Sequence, residues 1–70
     1  MSTALRVELE QEDDGRWIAD VPSLPGVMAY GATREAAIAN VQALALHTIA
    51  ERIEHGEEVP EPFRQIFAAA

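Results

Sequence analysis

The chain has 70 residues, no cysteine, and 12 acidic side chains against five arginines, for a net charge of -7. That length allows one domain with one small core, and the missing thiols exclude disulfides and thiolate zinc sites, which suits a reducing cytoplasm. The acidic balance argues against direct nucleic-acid binding, because counterion release rewards cationic surfaces, and it favours a basic protein partner. Cores this small rarely supply more than about 3–5 kcal/mol, so association with a second copy or another chain is expected to act as the staple. No apolar run approaches a membrane span, and Met1 to Glu8 lacks the basic-then-apolar order of a signal peptide, so the expected compartment is the cytoplasm.

The first strand is expected over residues 4–12, where Leu5, Val7 and Leu9 alternate with Arg6, Glu8 and Glu10. Turn chemistry follows from Glu12 to Gly15, and a second strand is expected over 16–21, with Trp17, Ala19 and Val21 on one face. Parity decides the turn. A two-residue Asp14-Gly15 turn places apolar Leu9 opposite Asp20, whereas a three-residue Asp13-Asp14-Gly15 loop with Gly15 left-handed pairs Leu9 with Ala19 and Val7 with Val21. The second arrangement is predicted. It sets Glu12 beside Arg16, Glu10 beside Ile18 and Glu8 beside Asp20 on the other sheet face. Like charges directly opposite are destabilising, so Glu8 and Asp20 call for a cation. Arg6, diagonal to Asp20, is one supplier; a basic side chain from a bound partner is the other.

Pro22, Ser23, Leu24, Pro25 and Gly26 form a corner, and a short third strand, an edge strand by its preceding prolines, is expected over 27–31. Gly31 turns the chain. Thr33 then caps a helix over 34–55, with Glu35 in its first turn and Gly56 as its stop. At 100° per residue, Leu44, Ala37, Thr48, Val41, Ala45, Ile38 and Ile49 make one face for the sheet. Leu46, Ala39, Ala50 and Ile53 extend the apolar arc beyond what one sheet covers, so either the C-terminal segment with Phe63, Ile66 and Phe67 folds over the excess or a second subunit does, with Leu46, Ala50 and Ile53 as the expected oligomer face. After Gly56, the prolines Pro60 and Pro62 impose an extended linker. Residues 63–68 are expected to form a short final strand.

The residues that carry chemistry elsewhere are sparse here. His47, Glu51 and His55 line one helix edge at i, i+4 spacing, but nothing completes a metal set, and a solvated edge is the better reading. Glu8, Glu10, Asp13, Asp14 and Asp20 can be read as a carboxylate cluster for metal-assisted phosphoryl chemistry; the turn role of the aspartates and the lack of cations oppose it. Ser23 and Thr48 have no nucleophile elbow and no base. Trp17 and Tyr30 suit a core or a protein interface better than base stacking. No catalytic residue, metal or cofactor is expected.

Gly15-Arg16-Trp17, Ala19-Asp20-Val21-Pro22, Leu24-Pro25-Gly26, Gly31, Thr33, Glu35-Ala36, Asn40 and the Gly56 to Pro62 stretch together resemble the HicB-like antitoxin family of HicA-HicB toxin-antitoxin systems. The likeness runs from about Leu5 to Pro62. It implies an α+β fold of the partial ribonuclease-H-like type, β-β-β-α-β, in which Gly15, Pro22, Leu24, Pro25, Gly26, Gly31 and Thr33 define the fold. It also implies a non-catalytic protein that binds and neutralises a small basic HicA-type toxin cleaving messenger RNA. Many members continue into a DNA-binding segment; none follows Pro62 here, so a short form is expected. The acidic residues Glu8, Glu10, Glu12, Asp13, Asp14 and Asp20 are the expected partner-binding set, by charge complementarity to a basic toxin. The competing readings are a degenerate ribonuclease-H-like metal-dependent nuclease using the same carboxylates, and an orphan structural or interaction domain without a toxin.

Overall fold

A computed structural model describes residues 5–67. The architecture is α+β: a three-stranded antiparallel sheet in the order β1-β2-β3, with one long helix packed on one face. The strands are β1 (Glu8–Gln11), β2 (Trp17–Asp20) and β3 (Met28–Gly31), followed by α1 (Arg34–Glu54) and a single helical turn, α2 (Glu61–Arg64).

The hairpin follows from its hydrophobic parity. Leu9 stands opposite Ala19, Glu10 opposite Ile18 and Glu8 opposite Asp20, and Gly15 closes the loop at φ +93°. The Gly15 amide donates to the Glu12 carbonyl at 2.9 Å, and the Glu12 amide to the Arg16 carbonyl at 2.7 Å. That last bond sets the alternation: Glu10–Ile18 and Glu8–Asp20 are hydrogen-bonded pairs, while Leu9 and Gln11 turn their backbone groups to the open edge. Glutamates at alternate positions on this edge strand discourage another strand from pairing there.

The corner between β2 and β3 is two consecutive turns sharing Leu24. The Leu24 amide donates to Val21, and the Val27 amide to Leu24, both at 2.9 Å. In the second turn Pro25 and Gly26, at φ +88°, occupy the positions that a type II turn reserves for a fixed negative φ and a positive one. The result drives Leu24 completely into the core. The Val21 amide then donates to the Val27 carbonyl at 3.1 Å, so Ala19–Ala29 and Trp17–Gly31 are the bonded pairs and Met28 and Tyr30 face the outer edge. β3 is an edge strand, as its prolines predict. The exposed carbonyl of Tyr30 is not left open: Asn40 of α1 donates its side-chain amide to it at 2.8 Å.

Thr33 caps α1 with its hydroxyl accepting from the Ala36 amide at 3.0 Å. At the other end Gly56 adopts φ +71°, with the Gly56 amide on Ile53 and the Glu57 amide on Arg52, the bond pair of a Schellman stop. Ala37, Val41, Ala45 and Ile49 are the buried stripe, meeting Ala19, Val21, Leu24 and Val27 from the sheet and corner. Ile38 and Thr48 are half-buried at its sides, and Leu44, expected on this face, is exposed.

The C-terminal expectation is corrected. Residues 63–67 form no strand; Phe63 and Arg64 belong to α2, and residue 68 lies outside the described residues, as does residue 4 of the first expected strand. The reason is Pro62, which occupies the first helical turn, where a missing N–H costs nothing, while the turn swings Phe63 against the core beside Val59. Arg64 and Glu61 pair at 3.2 Å across that turn. No fourth strand joins the sheet among the described residues.

Candidate functional site: the outer sheet face

The sheet has one covered face and one bare one. On the bare face the pleat displays Glu8 and Glu10 from β1, Ile18 and Asp20 from β2, and Met28 and Tyr30 from β3. Ile18 is central, with Glu10 on one side and Tyr30 on the other. Asp20 lies between Glu8 and Met28 in the same way. Met28 and Tyr30 are close to half exposed, so the face combines an uncovered apolar middle with an acidic flank. Arg6, Glu8, Glu10, Ile18, Asp20 and Met28 line one shallow depression there.

The expected partner-binding set divides in two. Glu8, Glu10 and Asp20 come together on this face. Glu12, Asp13 and Asp14 sit at the hairpin end, and Asp14 is already engaged: its carboxylate accepts from the Arg16 amide at 3.0 Å and the Arg16 guanidinium at 2.8 Å. Those bonds hold the Asp14 carboxyl below its ordinary range, the backbone amide contributing most. Arg16 also stands 4.6 Å over the Tyr30 ring, which fixes the ring against the face.

Arg6 does not serve Asp20. It pairs instead with Glu8, two residues further along the chain, at 3.1 Å. Asp20 has no ion pair among the described residues, and its hydrogen-bonded partner position holds another acid about 5.5 Å away at Cα. The apolar contribution of Ile18, Met28 and Tyr30 is what sequence reasoning overlooked. Parity already put Ile18 opposite Glu10, but the β3 register that adds Met28 and Tyr30 depends on the length of the corner.

Other candidates have local explanations. The Thr48 hydroxyl bonds the Leu44 carbonyl at 2.9 Å. His55 Nδ1 lies 2.9 Å from the Glu51 carbonyl, in the C-terminal turn of the helix. Among the described residues no three His, Asp or Glu side chains gather closely enough to hold a metal ion, and no helix is long and apolar enough to cross a membrane.

With this geometry in hand, comparison with curated proteins finds the "UPF0150 protein Ta0767" of Thermoplasma acidophilum, 30% identical over 54 residues that cover 77% of this chain and 78% of that one. The chain belongs to the UPF0150 family. No protein-family model matches the chain, and no solved structure matches it significantly.

Proposed function

We propose that this UPF0150 protein is a non-catalytic, HicB-like antitoxin that binds a small basic, HicA-type messenger-RNA-cleaving toxin through its outer sheet face. The observation that carries the reading is Asp20: a carboxylate beside Glu8, with no ion pair of its own among the described residues, at the edge of an uncovered apolar centre of Ile18, Met28 and Tyr30. A guanidinium or ammonium from a partner relieves the Glu8–Asp20 repulsion while the apolar centre is covered, so charge and burial favour the same docked state. The likeness of the Gly15 to Thr33 motifs to HicB-like antitoxins supports the reading, and UPF0150 membership is compatible with it.

The test is co-purification of the chain with a HicA-like protein at low and high salt, followed by an RNA-cleavage assay of the mixture. The expected result is a complex that silences cleavage and weakens as salt rises. Asp20→Lys is expected to weaken it at least tenfold, since interfacial charge pairs contribute about 1.5 kcal/mol or more. A complex indifferent to both salt and Asp20→Lys removes this face from the interface. An active toxin that the chain neither binds nor inhibits removes the antitoxin role.

A further inference from the structure

Every second backbone group of β1 points away from the sheet. Glu8 and Glu10 direct their amides and carbonyls to Asp20 and Ile18, so by the same alternation those of Val7, Leu9 and Gln11 are aimed past the outer edge. Among the described residues no turn, loop or cap bond uses the Val7, Leu9 or Gln11 amide. The opposite border is treated differently, since Asn40 occupies the Tyr30 carbonyl at 2.8 Å. The edge of β1 is an open template for an extended chain.

The side chains flanking that edge specify which chain fits. On the core side Leu5, Val7 and Leu9 are half-buried, and Leu5 and Val7 line an apolar groove of about 430 Å³ that Leu46, Phe63 and Ile66 also line. Phe63 sits in α2, a helical turn that lends no strand to the edge. An extended segment beside β1 sends alternate side chains to the same side as Val7 and Leu9, and the intervening ones to the side of Glu8 and Glu10. The groove favours apolar side chains; the glutamates favour cations directly across from them. Arg6 already holds Glu8 at 3.1 Å, whereas Glu10 has no ion pair among the described residues, so Glu10 makes the stronger demand.

A second copy does not meet that description. Pairing β1 with itself sets Glu8 and Glu10 against the same glutamates of the other chain, with a net charge of -7 on each. The carboxylates that turn away a copy are the ones that admit a basic segment.

We infer that the β1 edge from Val7 to Gln11 takes up an extended segment of a basic protein as an added strand, with apolar and cationic side chains alternating along it. This goes beyond the antitoxin reading and does not depend on it, because it concerns the border of the sheet and its test contains no toxin.

The probe is the capped peptide Thr-Val-Arg-Val-Lys-Val-Thr, added to the isotope-labelled full chain; its control carries glutamate in place of arginine and lysine. In the free chain, amide hydrogen exchange by NMR is expected to be slow at Glu8 and Glu10 and fast at Val7, Leu9 and Gln11. The basic peptide is expected to slow exchange at the second set and leave the first as it was. It is expected to bind about fivefold or more tightly than the control, a margin that shrinks as salt rises. Gln11→Pro removes an outward amide at an exposed edge position, where proline is tolerated, and is expected to weaken binding with the circular dichroism spectrum retained. Glu10→Lys, also at an exposed position, is expected to shift the preference towards the glutamate peptide. Slow exchange at Val7 and Leu9 in the free chain overturns the inference, because the edge is then already occupied. So does a bound peptide that leaves those amides fast, equal binding of the two peptides, or a preference unmoved by Glu10→Lys.

Discussion

Gly31→Ala tests the one glycine whose added Cβ would meet neighbouring backbone. Gly31 ends β3 directly beneath the first turn of α1, and a Cβ built there falls 2.3 Å from the Ala37 backbone nitrogen and 2.7 Å from the Ala36 carbonyl carbon. These are backbone atoms of a capped helix, so no side-chain rotation relieves the clash. Restoring ordinary van der Waals contact requires the helix start to retreat by about 1 Å, and a gap of that size forfeits a quarter to a half of the dispersion well for each contact it opens. The contacts at risk are those of Ala37 and Val41, both fully buried against the sheet. Overpacking of this kind costs about 1–3 kcal/mol, against the roughly 3–5 kcal/mol that a core of this size supplies. Thermal and urea denaturation is the assay, with an expected fall of about 4–8 °C in Tm per kcal/mol and a matching drop in the urea midpoint at constant m-value. Gly15→Ala is the control, because its φ of +93° is strained for alanine while nothing stands within 4 Å of the new Cβ. A Gly31→Ala protein within about 0.5 kcal/mol of wild type refutes the claim that the helix is seated on this glycine.

Leu24→Ala empties the pivot of the corner, where the side chain is completely buried, and is expected to cost about 2–5 kcal/mol, seen as loss of the cooperative urea transition. Thr33→Ala removes the acceptor for the Ala36 amide and is expected to cost about 1 kcal/mol in the same assay, with Thr33→Ser restoring most of it. Asp14 has a folded-state pKa below the ordinary value of 3.8, so its contribution is present above that value and is lost as pH falls through the lower, folded one. An NMR titration is expected to show the depressed midpoint in wild type and only a partial rise in Arg16→Ala, which removes the guanidinium but keeps the backbone amide that contributes most, at pH values where both remain folded. A normal midpoint in wild type contradicts the Asp14–Arg16 geometry.

The sheet was readable from sequence because parity leaves little freedom. Once Leu9 and Ala19 must share a buried face, the hairpin loop has to contain Asp13, Asp14 and Gly15, and the acidic face follows. The helix ends were equally readable, since Thr33 and Gly56 each supply a local bond pattern that needs no tertiary context. The C-terminal segment was not. Phe63, Ile66 and Phe67 satisfy a strand or a helical turn equally well, and the outcome rests on where Pro62 falls within a turn and on the space beside Val59 that Phe63 can fill. The candidate site was half readable. Its acids follow from alternation along one strand, whereas its apolar centre assembles from three strands across a corner whose turn types set the β3 register. The choice of Arg6 between Glu8 and Asp20 lies below what alternation can resolve, because both acids occupy one face and only side-chain reach separates them.

The bond from Asn40 to the Tyr30 carbonyl has a consequence for the life of the protein before it meets any partner. A three-stranded sheet has two raw borders, and at the second of these an amide from the helix occupies the outward carbonyl of Tyr30, while the glutamates of β1 repel company at the first. Newly made chains are thereby kept from templating one another into fibrils through the polar backbone of β3. Asn40→Ala leaves every core side chain in place, yet uncovers that border, and it is expected to raise the rate of thioflavin-positive aggregation at constant melting temperature. The amide thus acts as a guard on solubility, a duty separate from both stability and recognition.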